Sequence, residues 1–243
     1  MKTGLGIVCL AGWLTSAAFG GVLVYQDGFN DGKRNAALWT FDNYFHGRFA
    51  ETNGRLYGYS GTAAPSNDYH AVTWKQIPAV KLINHDVLEV EAVLRLPMLA
   101  ISSAPNAYIG MEIGLTIPNS IPLQSVYFWF TRTSLLGRNF NLDVAKPNRT
   151  TDGWGFDPPG NAAKYYIKLR YNTTSGFLTL LYKTSPEQNW TALKTIDLNG
   201  EWNMAPGSPV TLQAYLEFGT SKTRVDEPEY VYFDNFKLTR TRP

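Results

Sequence analysis

Cysteine is almost absent from this chain of 243 residues, since Cys9 is its single cysteine. A lone thiol cannot form an intramolecular disulfide, and a metal site built from several thiolates is excluded as well. Charge is also scarce, because only 17% of the residues are charged and the formal net charge is +2. Nothing in this balance predicts a nucleic acid or a membrane surface as a partner. A domain without disulfides must be stabilised by its core or by a bound ion.

Long helical patterns and the common catalytic motifs are missing too. We find no long amphipathic stretch with helical periodicity. The three histidines, His46, His70 and His85, lack the spacing of a zinc site. The sequence also lacks the G-x-S-x-G turn of serine hydrolases and the phosphate-binding P-loop. Helical bundles, zinc hydrolases, serine hydrolases of that type and P-loop enzymes are therefore not supported.

The N-terminus has the pattern of a secretory signal. Lys2 precedes an apolar stretch from Leu5 to Leu14, and the small residues Ala18 and Gly20 fit a cleavage site. We predict cleavage after Gly20, so residues 1–20 are a signal peptide and the protein is secreted or periplasmic. The apolar stretch is too short for a transmembrane span, and membrane insertion is not expected.

The remainder of the chain consists of short alternating stretches separated by turn residues. Aromatic residues make up 14% of the chain, which also contains 21 glycines and 14 prolines. About a dozen stretches alternate apolar and polar residues, as in "DVLEVEAVLRLP" and "SVYFWFTRT". The segment "NTTSGF" predicts a hairpin turn between two of them. The pattern predicts one all-β domain, a sandwich or barrel, over residues 22–243.

Four segments carry a resemblance to a known superfamily. "DGFNDGKRNAALWTF", "NGRLYGYS", "KYYIKLRYNTTSGFLTLLYK" and "VYFDNFKLTR" follow one another in this order along the chain. Together they resemble the concanavalin A-like lectin/glucanase superfamily, including its laminin-G-like jelly rolls. The resemblance implies a jelly-roll β-sandwich of two curved antiparallel sheets. This fold hosts lectins, carbohydrate-binding modules, glycosidases, lyases and adhesion domains, so it does not by itself define an activity.

The resemblance also implies a structural calcium ion, Ca2+, where the first and last strands meet. Asp234 matches the acid of the last strand, and Asp27 is the candidate near the first strand, with Asn30 or Asp31 as alternatives. Gly54 could contribute its carbonyl oxygen. Calcium prefers several oxygen ligands and accepts carbonyl groups. The alternative is that Asp27 is a turn residue and Asp234 a strand-edge acid, both hydrogen-bonded to backbone N–H groups.

Glucanases of this superfamily carry three carboxylates on one face of a strand, where two of them act as nucleophile and acid/base. The nearest match here is Glu89 and Glu91, which share a face in an extended strand. Val93 and Arg95 follow on that face, so the third carboxylate is missing. We therefore assign no catalytic residues and expect Glu89 and Glu91 to lie on a solvated face.

A sugar site combines aromatic rings with polar hydrogen-bonding groups. In "YIGMEIGLTI", Glu112 shares a face with Tyr108 and two glycines, which leave room for a ligand. In "SVYFWFTRT", Tyr127 and Trp129 lie on the face opposite the phenylalanines. The next stretch places polar residues on one face: Asn139, Asn141 and Asp143.

A glycine- and proline-rich segment, residues 150–161, is expected to form a long loop that presents Trp154 to a ligand. Each of these assignments has a simpler alternative. Glu112 would be ordinary exposed sheet surface, Trp129 would belong to the core, and Trp154 would close the sheet edge as a plug.

These observations favour a secreted, lectin-like domain that binds a polysaccharide or another glycan without cleaving it. The first alternative is a polysaccharide-active hydrolase or lyase of the same fold, with Glu112 among its acid/base candidates. The second is a structural or adhesion domain of the cell surface. Binding to a glycan array, followed by an assay for chain cleavage, separates the three.

Overall fold

The computed structural model describes residues 22–44, 47–60, 69–96, 107–133, 137–221 and 231–242. The described part is built almost entirely from strands, with one helical turn, α1 (Leu198–Glu201), and a 3-10 turn at Pro159–Asn161. The strands are β1 (Val22–Asp27), β2 (Trp39–Tyr44), β3 (Arg48–Thr52), β4 (Arg55–Tyr59), β5 (Tyr69–Gln76), β6 (Val80–Leu82), β7 (Val87–Arg95), β8 (Tyr108–Thr116), β9 (Ser125–Thr133), β10 (Gly137–Ala145), β11 (Thr151–Phe156), β12 (Lys164–Asn172), β13 (Phe177–Lys183), β14 (Thr191–Asp197), β15 (Val210–Ser221) and β16 (Tyr232–Thr241).

These strands form two antiparallel sheets that pack face to face. Sheet A has the order β14-β13-β12-β7-β16-β4-β3, and β1 also pairs with β16. Sheet B has the order β11-β10-β9-β8-β15-β5-β2, and β6 also pairs with β15. In both sheets, neighbouring strands come in part from distant parts of the chain, as where β7 lies between β12 and β16. The structure confirms the predicted all-β jelly-roll sandwich.

The core between the sheets is rich in aromatic rings. Phe128, Phe130 and Phe140 of sheet B are fully buried. Phe130 and Phe140 meet Tyr165 of sheet A in edge-to-face contacts with centroids 5.3 and 4.8 Å apart, and Phe128 packs in the same way on Phe140 at 4.8 Å. Each such side chain contributes about 1.5–3 kcal/mol when it is fully removed from water. The alternation within β9 and β10 therefore fixes the other face of sheet B, because every second side chain must point away from this core.

Tight turns form where the sequence supplies residues that tolerate positive φ. Asn53 (φ 51°) and Gly54 (φ 72°) connect β3 to β4, which is the dihedral pattern of a two-residue hairpin loop. Gly176 (φ 75°) lies in the connection between β12 and β13, so the hairpin predicted from "NTTSGF" is confirmed.

The last strand contains a bulge at its centre. The pairing of β16 with β7 shifts register between Asp234 and Lys237, and Asn235 has a positive φ of 51°. The extra residue turns Phe236 into the core, where it is 1% exposed, although strict alternation would put it beside Asp234. At the bulge β16 also changes partners, from β4 before it to β1 after it.

A buried ion pair attaches the C-terminal end of the chain to sheet A. Asp86 is completely buried and accepts two hydrogen bonds from the Arg242 guanidinium, at 2.7 and 2.9 Å. The backbone N–H of Ile83 donates a third bond to the same carboxylate. Bidentate pairing of this kind satisfies a carboxylate that burial would otherwise destabilise.

The predicted signal peptide, residues 1–20, lies outside the described residues, and the cleavage site and secretion stay predictions. Among the described residues, no helix is long and apolar enough to cross a membrane.

Candidate functional site

The outer face of sheet B brings together acids from distant parts of the chain. Glu112 of β8 lies directly opposite Trp129 of β9 on one side and Glu217 of β15 on the other. Asn141 of β10 follows next to Trp129, and Thr73 of β5 follows next to Glu217. This register forms one row of side chains across five strands, on the side of the sheet that points away from the core.

Glu112 is the most buried group in this row. It is only 4% exposed, and the hydroxyl of Tyr215 donates a hydrogen bond to its Oε1 atom. Burial, together with the neighbouring Glu217 carboxylate, raises the pKa of Glu112 well above its ordinary value, although the Tyr215 bond acts in the opposite direction. Glu217 is partly exposed and accepts a 2.7 Å hydrogen bond from the Thr73 hydroxyl. Glu112 can therefore hold a proton beside Glu217.

Two glycines of β8 make room for rings on this face. A Cβ atom at position 114 would lie 2.5 Å from the Tyr215 ring, so that ring lies directly against the backbone of Gly114. A Cβ atom at position 110 would lie 3.1 Å from the ring of Trp129. The glycines of "YIGMEIGLTI" thus let aromatic side chains of the neighbouring strands lie flat over β8.

An aromatic pair and a row of polar groups lie side by side on the face. The Tyr127 and Trp129 ring centroids are 6.0 Å apart in an edge-to-face arrangement. Burial and the Glu112 and Asp143 carboxylates raise the pKa of Tyr127 to about 12, so its hydroxyl stays protonated as a hydrogen-bond donor. Asp143 pairs with Tyr127 across β9 and β10. Asn139 donates a 3.0 Å bond to the Asn141 side chain, which aligns the two amides along the strand.

Seven of the eight residues that the sequence predicts for ligand binding lie on this outer face: Tyr108, Glu112, Tyr127, Trp129, Asn139, Asn141 and Asp143. Tyr108 is at the far end of the face, two positions before Gly110 along β8. Trp129 is partly exposed and does not belong to the core. Sequence reasoning missed Glu217 and Tyr215, although "VTLQAYLEFG" alternates and would place both on one face.

The structure corrects the predicted role of Trp154. The predicted loop over residues 150–161 is instead largely the edge strand β11, Thr151–Phe156. Trp154 pairs with Leu142 on the inner face, packs against the core, and has the Lys194 ammonium 5.1 Å from its ring centroid. Gly153 and Gly155 face the outer side, where the Asp143 and Asn141 side chains lie against them. These glycines serve close side-chain approach in a strand, and Trp154 seals the sheet edge.

Glu89 and Glu91 lie on the outer face of the other sheet. Lys168 of β12 pairs with both, at 3.2 and 3.0 Å, and Arg170 pairs with Glu89 at 3.3 Å. Cross-strand pairing to cations explains these acids, as expected for a solvated sheet face, and separates them from the Glu112 row on the opposite side of the molecule.

A second cluster of carboxylates lies near the β3–β4 turn. It consists of Asp27, Asp31 and Glu51, and we call it the Glu51 cluster. Both Glu51 carboxylate oxygens are buried and lack a hydrogen-bond partner of good geometry. Burial raises the pKa of Glu51 to about 8, with further contributions from the Asp31 and Asp27 carboxylates. Asp27 itself accepts 2.8 Å bonds from the Phe29 backbone N–H and from the Trp39 indole.

The Glu51 cluster suits calcium in chemistry, because its donors are all oxygens and two of them are buried without a hydrogen-bond partner of good geometry. Gly54 packs near the carbonyl oxygen of Gly28, which brings the predicted ligands Asp27 and Gly54 into one region. In the part of the chain that the structure describes, no three His, Cys, Asp or Glu side chains are arranged to bind a metal ion. The cluster is therefore a set of candidate ligands without a formed coordination shell.

Asp234 has a different environment from the Glu51 cluster. It lies at the bulge of β16, and burial raises its pKa, opposed by the backbone N–H of Asn235 and by the Arg55 and Lys164 charges. The Asn235 backbone N–H bonds this carboxylate, as the calcium-free alternative describes, and the two cations favour its ionised form. A role for Asp234 as a calcium ligand stays a prediction.

Solved structures with this fold include sugar-binding proteins and an enzyme. An endo-1,3-beta-glucanase from Streptomyces sioyaensis aligns with a TM-score of 0.64 and 11% identity, over 96% of this chain and 100% of that chain. Winged bean acidic lectin, complexed with methyl-alpha-D-galactose, aligns with a TM-score of 0.59 and 11% identity, over 92% of this chain and 100% of the lectin. The carbohydrate recognition domain of Emp47p aligns with a TM-score of 0.56 and 8% identity, over 90% and 94% of the two chains.

No family model and no curated protein matches the sequence. At these identities the structural likeness establishes the concanavalin A-like fold, as the sequence resemblance predicted, and activity has to be argued from the residues of this chain.

Proposed function

We propose that the protein is a secreted, lectin-like domain that binds a glycan on the outer face of sheet B. The observation that carries the proposal is the Tyr127–Trp129 pair beside the Asn139, Asn141 and Asp143 side chains on one sheet face. Rings can cover the C–H faces of sugars, while amides and carboxylates bind their hydroxyl groups. Sugar binding by proteins of this fold, such as the winged bean lectin, supports the same interpretation.

Removal of one ring tests the binding site. Trp129→Ala should weaken retention on a neutral polysaccharide by about 1–3 kcal/mol, the usual effect of losing an aromatic stacking platform. Affinity electrophoresis through gels of several neutral polysaccharides measures the change. Trp190→Ala is the matched control, because Trp190 lies on the opposite sheet, and it should leave this retention unchanged. Equal retention of the wild type and the Trp129 variant on a bound polysaccharide would remove the site assignment.

A second candidate function, cleavage of the bound glycan, is favoured by the Glu112–Glu217 pair. Directly opposite residues in antiparallel strands have Cβ atoms about 4.5–5.5 Å apart. At this spacing a protonated Glu112 could donate its proton to the glycosidic oxygen while the Glu217 carboxylate attacks the anomeric carbon and forms a glycosyl ester. Water would then hydrolyse that ester, with Glu112 taking back a proton from the water and Glu217 leaving as the carboxylate. The elements of water would then be added across the broken C–O bond. Release of new reducing ends by the wild type, and its loss in Glu112→Gln, would support cleavage; binding without any release would exclude it for that polysaccharide.

We also propose that calcium stabilises the fold at the Glu51 cluster. Glu51, Asp31 and Asp27 are the carboxylates that would hold the ion, with the Gly28 or Gly54 carbonyl as a neutral ligand. Bound calcium would supply the positive charge that the buried Glu51 oxygens otherwise lack. Its expected effect is on stability, and its test is developed in the Discussion.

A further inference from the structure

The outer face of sheet A carries a row of alternating lysines and aromatic rings, which we call the lysine row. Its members, in spatial order, are Lys164, Tyr166, Lys183, Trp190 and Lys168. The Lys164 and Lys183 ammonium groups lie 5.5 and 5.4 Å from the centroid of the Tyr166 ring. Lys183 and Lys168 lie 4.9 and 4.6 Å from the centroid of Trp190. Each ring thus has two cations, and Lys183 contacts both rings.

The strand register explains why the row forms. Lys164, Tyr166 and Lys168 alternate on the outward side of β12, while Tyr165 and Ile167 point into the core. Lys183 at the end of β13 lies directly opposite Tyr166. The lysine row is therefore built on two paired strands of the sheet, and its order follows from their pleat.

The lysines of the row differ in how their charge is balanced. Lys168 pairs with Glu89 and Glu91. Lys183 donates a 2.7 Å hydrogen bond to the Pro186 carbonyl oxygen, which carries no full charge. Within the described ranges, neither Lys183 nor Lys164 forms an ion pair with a carboxylate. Lys164 interacts electrostatically with Asp234, but without ion-pair contact. The Lys164 and Lys183 ammonium groups therefore lie on either side of an aromatic ring, where both can contact a negatively charged ligand.

We propose that the lysine row is a second binding site, specific for an anionic polysaccharide such as a polyuronate or a sulfated glycan. A sugar ring with a carboxylate or sulfate can pair with Lys164 and Lys183 while its C–H groups contact the edges of Tyr166 and Trp190. The outer face of sheet B cannot offer this combination, because the Glu217 and Asp143 carboxylates would repel an anion there. The two outward faces therefore select different glycans, neutral ones on sheet B and anionic ones on sheet A.

Removal of the two lysines that lack carboxylate partners tests the proposal. Lys164→Gln combined with Lys183→Gln should weaken binding to sodium polygalacturonate or dextran sulfate roughly 2- to 30-fold, the range for the loss of two exposed ion pairs. Binding by the wild type should fall steeply as sodium chloride is raised, since salt screens exposed charges. Titration calorimetry at two salt concentrations measures both effects.

Matched controls distinguish binding at the lysine row from a nonspecific effect of net charge. Lys33→Gln combined with Lys81→Gln changes the net charge equally but at exposed positions away from β12 and β13, and should leave binding near the wild-type value. Trp190→Ala should also weaken it, whereas Trp129→Ala should not. Equal losses in the two double variants, or no binding of either polyanion, would overturn the proposal. Tighter binding to phosphatidylglycerol vesicles than to the polyanions would overturn it in favour of a membrane surface.

Discussion

Glu51→Gln is the change that most directly tests the carboxylate cluster near the first strands. Glu51 has two buried oxygens without hydrogen-bond partners of good geometry and a pKa raised to about 8 by burial and by Asp31 and Asp27. A carboxyl group whose pKa is raised on folding binds more protons in the folded state. Its ionisation therefore destabilises the fold as pH rises from the ordinary pKa of 4.5 to about 8.

The magnitude follows from the width of that pH window. The full difference in pKa would correspond to about 4–5 kcal/mol. Because Glu51 is only partly buried, water screens part of the repulsion, and we expect about 1–2 kcal/mol between pH 5 and pH 8.5. In EDTA, the wild type should therefore lose stability over this range relative to Glu51→Gln. Thermal unfolding followed by circular dichroism at four pH values gives the difference between the two proteins.

Calcium should reverse the difference between the two proteins. An ion that binds the folded state at a hundredfold excess over its dissociation constant adds about 2.7 kcal/mol, or about 5–10 °C in Tm for a domain of this size. The wild type should gain this stability at pH 8.5, where most Glu51 carboxyl groups are ionised, and Glu51→Gln should gain little. Asp143→Asn, on the outer face of sheet B, should respond to calcium as the wild type does.

Two outcomes would refute this reasoning separately. Identical wild-type melting curves in EDTA and in calcium would exclude the ion. A wild type and a Glu51→Gln variant that lose stability in parallel from pH 5 to pH 8.5 would show that the cluster does not hold a raised pKa. Asp234→Asn extends the test to the last strand: loss of the calcium response would make Asp234 a ligand, and an unchanged response would limit the ion to the Glu51 cluster.

Two further changes test the packing on which the sites depend. Gly114→Ala should destabilise the protein by about 1–3 kcal/mol, because its Cβ would lie 2.5 Å from the Tyr215 ring, whereas Gly155→Ala on the same sheet face should be nearly neutral; urea unfolding compares them. Asp86→Asn should cost about 1–3 kcal/mol at pH 7 through its bonds to Arg242. Burial opposes ionisation of Asp86, but the bonds from Arg242 hold its pKa below 3.8. The stabilisation by this ion pair is therefore present above about pH 4 and is lost in acid. If the variant and the wild type lost stability equally in acid, the ion pair would not have this role.

The alternation of apolar and polar residues was enough to predict which side chains share a face. Trp129 and Asp143 were placed together because the phenylalanines of β9 and β10 must enter the core. The pattern could not give the register between strands that are distant in sequence. Glu217 is more than a hundred residues from Glu112, and only the β8–β15 pairing shows that the two acids are opposite each other.

The wrong prediction at β11 and the unpredicted bulge of β16 also arise from strand pairing that the sequence pattern does not show. The glycines of β11 suggested a loop, because glycine is common in turns and weakens isolated strands. In the folded sheet, Gly153 is instead required because the Asp143 side chain occupies the space of a Cβ atom, whereas Gly155 has only an ordinary contact with Asn141. The bulge of β16 likewise depends on a change of partner strands at Asp234, which no periodicity within "VYFDNFKLTR" could predict.

The small net charge of the chain conceals an uneven distribution between the two sheets. The outer face of sheet B buries Glu112 next to Glu217, which raises the free energy of any further negative charge there. On sheet A, Glu89 and Glu91 are already paired with cations, which leaves Lys164 and Lys183 to determine the local potential. The hydrophobic core separates these faces, so a ligand on one does not neutralise the other. Binding of a neutral glycan and of a polyanion should therefore be independent, and competition between them would mean that they share one face.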